Sequence, residues 1–198
     1  MMTLLIIAIT VGLSILAFKN GALANRMVFW VHAIRNRKQY DRFITHGFIH
    51  ADYTHLAFNM ITLFFFGRYV EQLVSARIGA FGFLLFYLSA IVVAILPTYL
   101  RHKHQSNYMS LGASGAVSAM TTVFALVNPW SLIFVFFIPV PAIVYAALFI
   151  GYSIWRDRQQ GDNVNHNAHL SGAIYGLLFM LAMEPSLASN FVGKLLNP

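Results

Sequence analysis

Between His104 and Trp155 the chain runs for 52 residues without a single Asp, Glu, Lys or Arg. About 20 apolar residues suffice to cross the roughly 30 Å hydrocarbon layer of a bilayer, so one helix cannot use the whole stretch. Asn128-Pro129 marks a turn inside it. The run therefore divides into two predicted spans, about 112–127 and 130–154, the second loosened midway by Pro139 and Pro141. The rest of the chain agrees: 59% of the 198 residues are hydrophobic and 10% are charged. A soluble domain carries about 25% charged residues, so the solvent this composition suits is lipid. The expectation is a single all-α membrane domain over residues 1–198.

Four further apolar segments predict spans at about 3–18, 55–73, 78–96 (ended by Pro97) and 167–183, six in all. Ala22-Leu23-Ala24 has the form of a cleavage site, but Lys19 and Asn20 separate it from the apolar run, and a basic leader is missing. A retained helix is expected there. The connection from Lys19 to Tyr53 mixes Arg26, Arg35, Arg37, Lys38 and Arg42 with Met27, Val28, Phe29, Trp30 and Val31. That mixture predicts a partly helical first loop lying in the membrane interface.

The net charge is +7, and its basic residues sit in short connections, which points to lipid headgroups rather than nucleic acid. Ten of the 13 Lys/Arg fall on the side opposite the termini and three, Arg68, Arg77 and Lys194, on the terminal side. The positive-inside rule alone would place both termini outside the cytoplasm. Cysteine is absent, which excludes disulfide and thiol chemistry.

Polar groups at membrane depth are costly and mark function. Ser114 lies between small residues in Gly112-Ala113-Ser114-Gly115-Ala116, and His169 heads the last apolar segment. A serine can be a nucleophile and a neutral imidazole its base. His169, Gly172 and Gly176 fall on one helical face, where the glycines would let that helix approach the one bearing Ser114. No acid completes a triad: Asp41, Asp52, Asp157 and Asp162 lie in connections, and Glu71 and Glu184 at span ends. His55 and Asn59, four residues apart, present two donors on one face, suited to developing negative charge. Read from the residues alone, His46, His50 and His55 could instead hold a metal with His166 or His169, in a metal transporter or metalloenzyme. The absence of a His-Glu-x-x-His sequence counts against zinc proteolysis.

In order, His46-x3-His50-x4-His55-x3-Asn59, Gly112-x-Ser114-Gly115 and Ala168-His169-x2-Gly172-x3-Gly176 resemble the rhomboid intramembrane serine proteases over roughly Arg42 to Gly176. The resemblance implies a six-transmembrane-helix bundle with an interfacial first loop, in a bacterial inner membrane with cytoplasmic termini. It implies Ser114 as nucleophile and His169 as base. His55, Asn59 and the main chain around Gly112 and Ser114 would hold the oxyanion. Gly115, Gly172 and Gly176 would set the helix contact, with Arg42 and Glu71 bracing the first loop. It implies transmembrane protein substrates bearing small and helix-weakening residues, surrounding lipid, and no cofactor or metal. The helix after Pro129, with Phe134, Phe136 and Phe137, would be the lateral gate, and 156–165 its cap. Two departures stand out: Asp41 precedes Arg42 where the family often has Trp. Ser118 stands one turn after Ser114, where the family commonly has an aromatic stacked on the histidine. A catalytically silent relative that only binds transmembrane helices is the competing reading.

Overall fold

The computed structural model describes residues 1–135, 137–159 and 164–197. The first apolar segment forms α1 (Met2–Lys19). Asn20 ends it in an extended conformation, and its side chain accepts the Leu23 N–H at 3.1 Å to start α2 (Gly21–Met27). The rest of the first connection is folded as well. It comprises a short strand β1 (Phe29–Trp30), α3 (Val31–Arg37), α4 (Arg42–Thr45) and a 3₁₀ turn, His46–Phe48. Arg42 is buried at its centre. Its guanidinium donates to the carbonyls of Asn25 (2.8 Å) and Val28 (2.6 Å) and to Gln39 Oε1 (2.8 Å), tying the end of α2 to α4.

Asp52 caps α5 (Tyr53–Thr62) by accepting the His55 N–H at 2.8 Å. A π-helical turn, Leu63–Gly67, carries the chain into α6 (Arg68–His102). Ile78 and Gly79 leave helical geometry, with Gly79 at φ +75, so α6 is two arms joined at a kink. Pro97 does not end the second arm. A proline removes one helical hydrogen bond, but the residues beyond it are held from outside. Thr98 donates to Asn165 Oδ1 at 3.0 Å, Arg101 grips Asp157 through both carboxylate oxygens at 2.8 and 2.9 Å, and His102 stacks on Tyr108 at 3.8 Å.

A strand β2 (Met109–Ser110) pairs antiparallel with β1, and α7 (Ser114–Val127) follows. The expected continuous helix over 130–154 is absent. Leu132–Val135 (β3) and Ile138–Pro141 (β4) form a hairpin, and only then does α8 (Ala142–Gln159) begin. Two prolines that cannot donate into a helix, among β-branched and aromatic residues, favour strand there. Of the three phenylalanines expected in the gate, Phe134 and Phe137 therefore lie on or beside the hairpin strands, and Phe136 lies outside the described residues, as does Asp162. Asn165 caps α9 (His166–Met183), and α10 (Ser186–Leu196) turns 111° away from it.

By length and composition, two helical runs, Met2–Lys19 and Tyr53–His102, can cross a bilayer, or three if α9 and α10 count as one broken span. The helix α7, at 14 residues, is short for a full crossing on its own. It is also the central element, buried at Gly115 to Thr121, Val123, Ala125 and Leu126 against α6, α8 and α9. A helix buried on nearly every side needs no polar face, which is why the sequence is uncharged there.

The closest approach is between α7 and α9. A methyl group built on Gly172 would lie 2.0 Å from the Gly115 carbonyl oxygen, and one on Gly176 2.6 Å from that of Ala119. Gly115 in turn faces Ala94 of α6, at 2.5 Å for the same construction. Backbone packs on backbone here, the contact small residues permit between membrane helices. Replacing Gly172 by Ala is expected to cost about 3 kcal/mol or more, because neither partner is a side chain that can swing aside. Thermal unfolding of the purified protein checks this against Gly193→Ala in α10, where nothing lies within 4 Å and no loss is expected.

Candidate active site

Ser114 is the first residue of α7, placed by the segment Gly112-Ala113. Gly112 adopts φ +117, a conformation open to glycine, and a methyl group there would meet His55 Cε1 at 2.8 Å. The Gly112 N–H donates to the His46 carbonyl at 2.9 Å, so this amide fastens the segment to the first connection. The oxyanion role expected of Gly112 does not fit that bond; its place is to admit the imidazole of His55. The Ala113 N–H donates to His50 Nε2 at 3.3 Å, while His50 Nδ1 meets Ser14 Oγ of α1 at 3.1 Å. The rings of His50 and His55 pack edge to face at 4.9 Å.

Ser114 and His169 line one cavity of about 120 Å³, together with Phe58, Asn59 and Thr62 of α5, Val117, Ser118 and Thr121 of α7, and Tyr145 and Phe149 of α8. The glycine contact between α7 and α9 brings the two helices together there. Asn59 is buried, and one hydrogen of its Nδ2 goes to the His55 carbonyl at 2.9 Å, leaving the other for a ligand. Ser114, at the start of α7, also sits at the positive end of that helix's dipole. His55, Asn59, Ser114 and His169 are thus gathered at one end of the bundle.

The imidazole of His169 does have an aromatic partner, supplied from elsewhere than residue 118. Phe149 of α8 stacks on it at 5.6 Å with planes 27° apart, and His166 meets it edge-on at 5.7 Å. Ser118 donates to the Ser114 carbonyl at 2.7 Å, within its own helix. Phe149 was not singled out by the sequence reading; the signal for it is Tyr145, Phe149 and Tyr152 at i, i+4 and i+7. Asn165 was also missed. Its Oδ1 accepts from the Ala168 N–H at 3.0 Å and its Nδ2 donates to Ser110 Oγ at 3.2 Å, joining the start of α9 to β2. Asn three residues before a helical N–H is an N-cap signature.

Arg42 holds carbonyls of the first connection, and Asp41 beside it pairs with Arg26 at 2.5 Å, which holds the Asp41 carboxyl below its usual range. Glu71 does not reach that connection. It accepts the N–H groups of Met2 (2.6 Å) and Thr3 (2.9 Å), capping α1 at the opposite end of the bundle. A carboxylate there neutralises amides that α1 cannot satisfy itself. Among the described residues, no three His, Asp or Glu side chains converge as metal ligands, so the geometry lends no support to the metal-binding reading.

The Rhomboid domain family model matches residues 37–185. The chain belongs to the rhomboid family. It is 35% identical over 144 residues to the RHOMBOID-like protein 12, mitochondrial, of Arabidopsis thaliana, covering 66% of this chain and 42% of that protein. It is 32% identical over 178 residues to the Rhomboid-like protein 11, chloroplastic, of the same plant, covering 81% and 59%. With the Rhomboid protease GluP of Bacillus subtilis it shares 28% over 160 residues, 79% of this chain and 28% of that one. The chain thus spans about two-fifths to three-fifths of the length of the two plant relatives. Family membership makes it an integral membrane protein. Relatives drawn from mitochondrion, chloroplast and Bacillus do not support the narrower expectation of a bacterial inner membrane.

Burial pushes the His46 imidazole down to about 4; the same effect, with His55 alongside, pushes His50 down to about 3. Above about pH 7 neither histidine is protonated in the folded or the unfolded chain. Between the ordinary value of 6.5 and these depressed values only the unfolded chain takes up the protons, so acid favours unfolding. For His46 the loss is expected to be on the order of 2 kcal/mol by pH 5. The unfolding midpoint should fall from pH 7.5 to pH 5, and His46→Gln should flatten that slope; an unchanged slope would remove His46 from the account.

Proposed function

We propose that this rhomboid-family protein is an intramembrane serine endopeptidase that cuts transmembrane segments of other proteins with a Ser114–His169 dyad. The observation that carries the reading is the shared cavity: nucleophile, base and Asn59 face one space, at the start of a buried helix and beside apolar walls. Ser114 Oγ attacks the substrate carbonyl carbon while His169 takes the hydroxyl proton. The carbonyl oxygen, now negative, is held by Asn59, His55 and the main-chain N–H of Ser114. Collapse breaks the C–N bond, and His169 gives its proton to the leaving amine. Water, deprotonated by His169, then attacks the acyl-enzyme, and the returning proton regenerates Ser114.

The architecture that goes with this reading has six crossings. They are α1, the run from α5 through the first arm of α6, the second arm of α6, α7, α8 and α9, with both termini on the cytoplasmic side and the dyad near the opposite face. Substrates would enter between α5 and α8, whose side chains wall the cavity, and would unwind locally to expose a carbonyl, as small and helix-weakening residues allow.

A fluorophosphonate probe tests the dyad: Oγ bonds to phosphorus, fluoride leaves, and His169 accepts the proton. Wild type should label; Ser114→Ala should not, and His169→Ala should label at least about 100-fold more slowly. Cleavage of a model transmembrane substrate should follow the same order and be indifferent to chelators. A folded wild type that neither labels nor cleaves would instead favour a silent helix-binding relative.

A further inference from the structure

We propose that the cavity between the end of α7 and α10 binds one anionic phospholipid, with its phosphate at Lys194 and the start of an acyl chain on Leu126, Leu187 and Phe191. The cavity measures about 460 Å³ and is separate from the one that Ser114 and His169 share. Small-molecule sites run to roughly 300–1,000 Å³, so a headgroup and the first part of a chain fit. The inference rests on membership of a membrane-protein family and not on the dyad reading.

The spacing of residues along α10 builds the two halves of this site. Asn190, Lys194 and Asn197 fall at i, i+4 and i+7, one polar stripe, and all three line the cavity. Leu187 and Phe191, four apart, form the adjoining apolar stripe and pack into the core with Leu126. Lys194 gives one ammonium hydrogen to the Val127 carbonyl at 2.7 Å, covering the negative end of α7, and keeps two for a ligand. Asn197 gives one amide hydrogen to the Gly193 carbonyl at 3.2 Å and keeps the other. Nothing acidic in the walls opposes an anion. Neither 104–155, which supplies the α7 side, nor 185–198, which supplies the α10 side, contains Asp or Glu. Glu184, just before α10, is paired with Arg77.

The position of the cavity suits a lipid better than a free anion. The α10 helix turns 111° from α9, so it does not continue through the bundle. Val192 and Leu196 are exposed on it, which fits a helix resting between headgroups and acyl chains. Trp130, in the turn after α7, donates its indole N–H to the Lys194 carbonyl at 2.8 Å. A tryptophan fixed beside a lysine marks the same depth. A water-borne phosphate would use the polar stripe alone, whereas the apolar floor has a use only if the ligand carries a chain.

Native mass spectrometry of the full chain, in micelles titrated with phosphatidylglycerol or phosphatidylcholine, reads the fraction that retains one lipid. Wild type should retain phosphatidylglycerol at a concentration roughly five- to ten-fold lower than phosphatidylcholine. Lys194→Gln should erase that preference, and Lys194→Arg should keep it. Gly193 also lines the cavity, and a methyl group built on it meets nothing within 4 Å, so Gly193→Leu fills open space. It should weaken retention of both lipids at least about five-fold without lowering the melting temperature. Excess inorganic phosphate should displace neither lipid. Equal retention of the two lipids by wild type, a preference that survives Lys194→Gln, undiminished retention in Gly193→Leu, or displacement by inorganic phosphate each overturn the proposal. If Lys194→Gln melts early through loss of its bond to α7, Gly193→Leu still decides.

Discussion

Everything at the Ser114 end of the bundle depends on two backbones touching. Where α9 crosses α7, Gly172 meets the carbonyl of Gly115 and Gly176 that of Ala119, with no side chain between them. In lipid, helices gain little from hiding apolar surface from one another, because lipid tails are as apolar as the partner. What remains is contact itself: many weak dispersion attractions that fall away with fractions of an ångström. A glycine face is the way to collect them. The same face fixes where Ser114 and His169 stand, since His169 lies one helical turn before Gly172 and Ser114 one residue before Gly115. Two residues separated by 55 positions in the chain are brought together by an approach that neither of them makes.

Close helix packing sets distance but not the attitude of the segment leading into Ser114. That is set by polar groups from the connections. The Gly112 amide is held by the His46 carbonyl, the Ala113 amide by His50, and His50 in turn by Ser14 of α1. Asn165 links Ser110 to the first turn of α9. Arg42 gathers the carbonyls at the end of α2. Each satisfies backbone groups at helix or strand ends that the ends cannot satisfy themselves, which is what a site built outside regular hydrogen bonding requires. The cost is that two histidines are held away from water, and acid reads that cost directly.

What was legible in the sequence was what period and isolation reveal. An uncharged run marked the buried α7. Four residues of spacing put His55 and Asn59 on one face, and three then four put His169, Gly172 and Gly176 on another. What was not legible depended on contacts across the fold. Pro97 reads locally as a helix end, yet Thr98, Arg101 and His102 are anchored by Asn165, Asp157 and Tyr108, and the helix continues. Pro139 and Pro141 read as a kink in a helix, and the residues around them pair as strands instead. Glu71 carries no local sign of which helix end it serves. Phe149 sits in a stripe that reads equally well as lipid-facing or inward-facing.

The departure at residue 118 illustrates why a site cannot be judged one position at a time. A ring beneath the imidazole is a requirement of space, not of sequence position: any element that can lay a flat apolar face against His169 meets it. With Ser118 in place of a ring, α7 leaves open volume beside the nucleophile, and Phe149 reaches into that volume from α8. The exchange has a consequence that a ring on α7 would not have. A ring on the nucleophile's own helix moves with the nucleophile, whereas a ring on α8 is coupled to whatever displaces α8. The same two side chains, in the same contact, then differ in what they respond to, because the covalent path between them runs through another helix.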